Sequence, residues 1–385
     1  MELIPIAASA PTPVFALPAL MRMTPPGLQA LIVEAHQDAN PGRTFMQMAY
    51  VFMLSNQHEA AIQMQTRALQ HQRLYRIAND RTTTLRLLVI MGPGNMQDNT
   101  PIEFVLDGSD IQTDILYLLP DEPFPETLPE HDVAFIAVGE SDKNAALLAH
   151  LEARMQRWPR PVVNQPRAIP HCARDTCYAL LKSIPGVCVP KTQRIRMGDA
   201  TEMDYPITIR PIDTQGGEGL QRVNSDAELT AYYAAHTAQA YYAAQYVDYQ
   251  SGDGLYRKLR IVLIDGAPYI CHLAISSHWM VHYLSAGMAE SPEKRREEQR
   301  MMEGFDQDFA RRFQVQLREI ARALQLDYVT IDCAEGPGGD LLVFEADSRG
   351  IIHAADPVHI YPYKPAVMQK AFDAFSALLR QRAGI

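Results

Sequence analysis

Lys258-Leu259-Arg260-Ile261-Val262-Leu263-Ile264 reads as a β-strand that carries two cations on one face. Side chains alternate along a strand, so Lys258 and Arg260 lie opposite Leu259, Ile261 and Leu263. Three further runs show the same parity. In Pro206-Ile207-Thr208-Ile209-Arg210-Pro211-Ile212 the isoleucines share one face, and Thr208 with Arg210 the other. Asp332 opposes Ile331 within Val329-Thr330-Ile331-Asp332-Cys333. Glu345 and Asp347 share a face in Leu342-Val343-Phe344-Glu345-Ala346-Asp347. Desolvated anions are costly, so three carboxylates on apolar strands need counter-charge if they are buried. Arg210, Lys258 and Arg260 can supply it, and so can divalent cations, since Mg²⁺ takes one or two carboxylates plus substrate phosphates. The turn Gln215-Gly216-Gly217-Glu218-Gly219 follows the Arg210 strand directly. A glycine loop, basic residues for phosphates and acidic residues for Mg²⁺ together describe a nucleoside triphosphate site. An ordinary surface sheet laced with salt bridges satisfies the same parity.

Around these strands the segment 161–385 shows helices at the right spacing. Phe309, Phe313, Leu317, Ile320 and Leu324 line one face of a helix predicted over 305–325. Pro365 suits the first turn of a last helix with Phe372, Phe375, Leu378 and Leu379 as its apolar stripe. Ala289 to Met302, rich in Glu, Lys and Arg, reads as a solvated loop or helix, with a mobile lid as the alternative.

Residues 82–160 read as a small α/β unit. Leu85 to Ile90, Ile115 to Leu119 and Asp132 to Val138 are strand-like, and 143–156 is helical. Gly92-Pro93-Gly94 fits neither a Walker loop nor a dinucleotide fingerprint and reads as a sharp turn. Residues 27–81 read as two helices. Phe45, Met48, Ala49 and Phe52 form the first stripe, and Ala60, Ala61, Met64, Ala68 and Leu69 the second. Their spacing resembles a single tetratricopeptide-type hairpin. One such unit cannot bury both faces, so a helical cap, a homodimer contact and a peptide-docking surface are all open readings. Residues 1–26, interrupted by six prolines and without a basic start, are expected to form an extended leader rather than a signal peptide.

At 385 residues the chain has room for two or three domains. A net charge of −10 argues against a nucleic-acid footprint, and no apolar run reaches membrane-span length. Five cysteines without a pairing framework suit a reducing cytoplasm, as small apolar side chains.

The order of these motifs resembles the ATP-grasp superfamily. Ala173 to Leu181, leading to Gly186-Val187-Cys188-Val189-Pro190-Lys191-Thr192, is similar to the helix and strand that open such a domain. Tyr205 to Pro211 looks like its strand with a basic residue before proline, and Gly216-Gly217-Glu218-Gly219 like its phosphate-covering loop. Gln245-Tyr246-Val247-Asp248 sits where the family's hinge meets adenine. Tyr256 to Gly266 resembles its central Arg strand. Asp332 followed by Glu345 and Asp347 resembles its paired Mg²⁺-binding strands. The match runs from about 164 to 350, nearest the glutathione-synthetase-like and ribosomal-protein-modifying branch. Arg210 stands where Lys is usual, Asp347 where Asn is usual, and Gly254-Leu255-Tyr256 where an Asp is usual.

The resemblance implies an α/β class, specifically the α+β ATP-grasp fold over 161–385, behind a small α/β domain and an N-terminal helical segment. It implies ATP and Mg²⁺ as cofactors, with two ions, and a cytoplasmic carboxylate–amine ligase acting through an acyl phosphate on a small molecule or peptide. Catalysis would fall to Arg260 and Lys258. The nucleotide would lie on Arg210, Gly216, Gly217, Gly219, Gln245, Tyr246, Val247 and Lys258, and the metal on Asp332, Glu345 and Asp347. His278, His282 and Arg349 are the candidate substrate contacts, the partners being a carboxylate and an amine, with neither nucleic acid nor membrane. An ATP-grasp kinase and a non-catalytic nucleotide-binding or scaffold protein are the alternatives.

Overall fold

The computed structural model describes residues 3–7, 10–37, 40–120 and 122–385. Residues 1, 2, 8 and 9 of the expected leader, 38 and 39 of the expected hairpin, and 121 of the expected α/β unit lie outside the described residues. The chain is an α/β protein. Its first sheet has the order Thr12–Val14, Leu74–Ile77, Ile111–Tyr117, Leu85–Met91, Val133–Ile136 and Val162–Val163. All neighbours pair in parallel except Leu74–Ile77 with Ile111–Tyr117. Leu87 to Ile90 are all buried, as a strand covered on both faces requires. The strand expected from Ile115 begins at Ile111, because Ile111, Gln112 and Thr113 pair with Leu85, Arg86 and Leu87.

Two sequence expectations change here, for the leader and for the hairpin segment. The leader is not uniformly extended: Thr12–Val14 forms an edge strand, Leu17–Met21 is a helix, and Val14, Leu17 and Leu20 are buried. Its prolines are compatible with this, since Pro13 lies on an edge strand and Pro18 in a first helical turn. The hairpin segment holds three helices, Pro25–Gln37, Pro41–Leu54 and His58–His71. The middle helix buries Met46, Ala49, Tyr50 and Met53, one position out of phase with the expected stripe. Phe45 and Phe52 remain only partly buried. The Tyr75 hydroxyl reaches the carbonyls of Ala68 and Gln72 at 3.1 and 2.9 Å, tying the hairpin to the first sheet. Finally, the Gly92-Pro93-Gly94 turn has its amides occupied, Gly92 by the Asn99 side chain at 2.9 Å and Gly94 by that of Gln65 at 2.7 Å.

The second large sheet has the order Ala267–Ser276, Tyr256–Ile264, Tyr328–Glu335, Leu341–Asp347 and Val187–Cys188, antiparallel but for the last pair. Helices Pro292–Gly304 and Lys364–Ala383 cover it. Phe375 of the latter meets Phe135 of the first sheet and Tyr328 of the second at 5.7 and 5.3 Å, so the two sheets share one core. The helix expected over 305–325 is broken at Phe313 into Phe309–Arg312 and Gln314–Leu324, yet all five stripe residues are buried. The charge-rich stretch is a helix capped by Ser291, with Glu298 and Met302 buried on the sheet.

A smaller antiparallel sheet has the order Thr192–Arg196, Ala240–Gln245, Ile207–Pro211 and Gln221–Val223. It has its own core of Ile195, Ile207, Ile209, Val223 and Tyr241, closed by helix Asp226–Ala235. Arg210 points away from that core, as strand parity requires.

Candidate active site

Register alone sets up the centre of the site. Arg260 pairs across strands with Asp332, and Asp332 pairs with Glu345, so the three stand in one row over three strands. Register shifts follow Arg260 on one strand and Asp332 on the other, the kind of irregularity that re-aims a side chain. Arg260 Nε and Nη2 donate to the two Asp332 oxygens at 2.8 and 3.1 Å, and Lys258 Nζ donates to Oδ2 at 2.9 Å. Burial alone would raise the Asp332 carboxyl, but Arg260 and Lys258 outweigh it and hold it well below the carboxylate range. Arg174 Nη2 donates to Glu345 Oε2, and Arg349 Nε donates to Asp347 Oδ1 at 3.1 Å. Glu345 behaves as Asp332 does: burial pushes it up, and Arg174 and Lys258 bring it below its ordinary value.

Arg210 is different. It is 8% exposed and bonds only Thr214, Nε to the hydroxyl at 3.1 Å and Nη2 to the hydroxyl and carbonyl oxygens. It forms no ion pair among the described residues. Burial, together with the nearby Arg174 charge, pushes its guanidinium down to about 10. The glycine loop that follows has Gly216, Gly217 and Gly219 at φ of 59, 83 and 64°. Those values suit glycine, and a Cβ on Gly219 would meet Pro211 Cδ at 2.7 Å.

Between the small sheet and the second large sheet lies a cavity of about 570 Å³. Arg210, Gly216, Gly217, Gln245, Tyr246 and Val247 line it from the small-sheet side. Lys258, Arg260, Asp332, Glu345, Asp347, His282 and Arg349 line it from the other. Two expected contacts are not on its wall. Gly219 is engaged through its carbonyl by the Tyr232 hydroxyl at 2.6 Å. His278 is exposed, its Nδ1 accepting the Met280 amide at 3.2 Å in a local turn. The expected metal set also needs restating. Asp332, Glu345 and Asp347 stand on one wall, but each is ion-paired: both Asp332 oxygens by Lys258 and Arg260, Glu345 Oε2 by Arg174 and Asp347 Oδ1 by Arg349. No group of three or more His, Cys, Asp or Glu side chains among the described residues is arranged to hold a metal ion.

The sequence reading missed Arg174, Asp356 and Lys364, which also line the cavity. Arg174 lay at the start of the helix in the quoted Ala173 to Leu181 stretch, and its first-turn position was the available signal. Asp356 and Lys364 sit in a loop and at a helix start, where no periodicity points inward. All five cysteines are free. Burial pushes the Cys271 thiol on the cavity wall up to about 12, so it is no thiolate nucleophile.

No family model matches the sequence. A coenzyme γ-F420-2:α-L-glutamate ligase of Methanococcus maripaludis is 28% identical over 112 residues, which is 27% of this chain. The chain spans 39% of the length of that curated relative. Among solved structures, the VanG D-Ala:D-Ser ligase of Enterococcus faecalis aligns with 78% of this chain and 100% of its own, at 11% identity and a TM-score of 0.49. A D-alanine–D-alanine ligase of Bacillus anthracis complexed with ATP covers 78% and 99%, at 15% identity and 0.45. The ATP-grasp ligase PsnB, complexed with a precursor peptide and AMPPNP, covers 78% and 100%, at 14% identity and 0.41. These likenesses are too distant to carry an activity or a site residue across.

Proposed function

We propose that this chain is an ATP- and Mg²⁺-dependent carboxylate–amine ligase of the ATP-grasp type, working through an acyl phosphate. The observation that carries this reading is Arg210, a buried guanidinium on a cavity wall that forms no ion pair among the described residues, although Glu345 and Glu218 lie near enough to favour its charge. A buried charge without a partner is costly, and a polyphosphate is the partner that a cavity of this size and cationic lining fits. Arg210 and Lys258 bind the phosphates, and Gly216 and Gly217 cover them. Gln245, Tyr246 and Val247 flank the base. Arg349, whose Nη atoms make no hydrogen bond among the described residues, holds the donor carboxylate by a bidentate contact.

The chemistry then follows from charge. An oxygen of the donor carboxylate attacks the γ-phosphorus, the bond to the β-phosphate oxygen breaks, and ADP leaves with the electron pair. Arg260 stabilises the charge that develops in this step. The amine nitrogen next attacks the acyl carbon, the carbon–oxygen bond to phosphate breaks, phosphate departs with the pair, and the amine proton passes to solvent. Asp332, Glu345 and Asp347 offer the hard oxygen donors that Mg²⁺ takes, and would hold it once the nucleotide draws their cations away. Mg²⁺ bound there screens the repulsion between a carboxylate and a triphosphate.

A second reading has one specific observation behind it. Every expected metal carboxylate is already neutralised by a cation, as suits a protein that binds nucleotide without turnover. Incubation with ATP, Mg²⁺, a panel of carboxylic acids and hydroxylamine separates the two. Acid-dependent hydroxamate with ADP release is expected from the ligase. ATP binding with no hydroxamate from any acid would leave the non-catalytic reading standing.

A further inference from the structure

Past the Arg260–Asp332 pair the same cavity ends in a second charged cluster that no step above employs. Lys364 opens the Lys364–Ala383 helix and is 2% exposed. Its ammonium has three donors and three acceptors: Asp356 Oδ2 at 2.7 Å, Glu298 Oε1 at 3.4 Å and the Tyr283 hydroxyl. The Tyr283 and Tyr361 rings lie 4.2 and 4.6 Å from the same nitrogen. Lys364 is therefore fully engaged, and it cannot take a ligand anion without breaking this set.

Glu298 is wholly buried, and every group that reaches its oxygens is a donor. They are the Leu273 amide at 3.2 Å, the Tyr363 and Tyr283 hydroxyls at 2.6 and 3.3 Å, and Lys364. Burial pushes the Glu298 carboxyl above its ordinary value, against the pull of Lys364 and the Tyr363 hydroxyl. Asp356 is the nearer of the two carboxyl groups to Lys364, and both share its one ammonium. The Asp356 side chain is 20% exposed on the cavity wall, and its Oδ1 has no hydrogen bond among the described residues. Lys364 pairs with Oδ2, and no neighbour among the described residues reaches Oδ1. His353 accepts the Ala355 amide through Nδ1, and Arg260 is committed to Asp332. Among the described residues the cavity therefore runs from a cation without an ion pair, Arg210, to a carboxylate oxygen without a hydrogen bond, Asp356 Oδ1.

We infer that Asp356 is the ammonium anchor for the amine co-substrate, held in place by Lys364 and, behind it, Glu298. The inference rests on the ligase reading and narrows it: the acceptor is an amine that arrives protonated and gives one proton to solvent before its nitrogen attacks, and neutral alcohols or anions are selected against at this end. A charge-assisted hydrogen bond to a fixed carboxylate is the discriminating contact.

Hydroxylamine is the comparison that isolates it, because hydroxylamine is uncharged near neutral pH and intercepts an acyl phosphate without needing an ammonium anchor. Wild type and Asp356→Asn are assayed with ATP, Mg²⁺ and the acid panel. One series receives hydroxylamine, the other the common amino acids and putrescine as chloride salts. Asp356→Asn should lower kcat/KM for the ammonium acceptor about tenfold to a hundredfold, mostly through KM, as expected for a lost hydrogen bond to a charged group. Hydroxamate formation should fall far less, so the ratio of the two reactions shifts by about tenfold or more, and Asp356→Glu should recover part of the ratio. Equal losses in both reactions, or an unchanged ratio, would overturn the assignment. Absence of hydroxamate from wild type with every acid would overturn the ligase reading itself, and the anchor with it.

Discussion

Arg260 and Asp332 face each other across adjacent antiparallel strands, two guanidinium nitrogens meeting two carboxylate oxygens at 2.8 and 3.1 Å. Lys258 reaches the same carboxylate from the same face. Two cations thus depend on one anion that is 2% exposed, which makes Asp332 the residue whose loss costs most. Breaking a buried pair on one side leaves an uncompensated charge, worth about 3–5 kcal/mol, so Asp332→Asn should lower stability in urea by about that amount. The sign with pH is fixed as well. The folded carboxyl lies below its unfolded value, so its contribution is complete above the unfolded pKa and is lost as pH falls beneath it. Wild type should therefore lose its advantage over Asp332→Asn below about pH 4. A difference that persists undiminished in acid would count against the assignment.

Glu103 behaves oppositely. It is 4% exposed in the short turn of helix Ile102–Phe104, its Oε1 has no partner among the described residues, and burial pushes its carboxyl up to about 7. A folded pKa above the unfolded one means stability is lost as pH rises between the two values, with the full penalty present above about 7. At about pH 8, Glu103→Gln should be more stable than wild type by at most about 3 kcal/mol, and near about pH 4.5 the gain should vanish. Urea unfolding at the two pH values decides it: an equal gain at both would show that ionisation is not the cause.

The parts legible in the sequence were those set by local alternation. Arg210, Lys258, Arg260, Asp332, Glu345 and Asp347 could be assigned to faces because strand parity is a property of a few neighbouring residues. Partners brought together by topology were not legible. Arg174 and Glu345 meet across 171 positions of chain, and neither residue type announces the other. Glu298 was hidden by its context. In a run of Glu, Lys and Arg every position reads as solvated, and only packing on the Ala267–Ser276 strand singles one out for burial. The leader failed for a related reason, since prolines that argue against regular structure are tolerated on an edge strand and in a first helical turn.

Gly139, just past the Val133–Ile136 strand of the first sheet, packs against Arg349 on the cavity wall. A Cβ there would lie 1.8 Å from Arg349 Cδ and 2.3 Å from Cγ, so any larger residue must displace that side chain. Gly139→Ala is expected to raise KM for the donor carboxylate about tenfold or more in the hydroxamate assay, the scale of losing hydrogen bonds to a charged group. Stabilisation by ATP should be retained, because Arg349 is not among the phosphate contacts. Loss of both responses would place Arg349 with the nucleotide instead of the carboxylate.

Arg210 gives the sharpest separation of stability from binding. Its guanidinium is buried without an ion pair among the described residues, and on the proposed reading its cost to the unliganded fold is offset when a polyphosphate binds. Replacing it by an apolar side chain of similar length removes the cost and the ligand contact together. Arg210→Met should leave the protein without nucleotide as stable as wild type, or more so by about 1–2 kcal/mol. ATP with Mg²⁺ at a hundred times the dissociation constant should add about 2.7 kcal/mol to wild type. The same concentration should add much less to Arg210→Met, and Arg210→Lys should keep part of the response because it retains the charge but not the planar fork. A variant less stable than wild type without nucleotide, yet still stabilised fully by ATP, would show that Arg210 serves the fold and that the phosphates lie elsewhere.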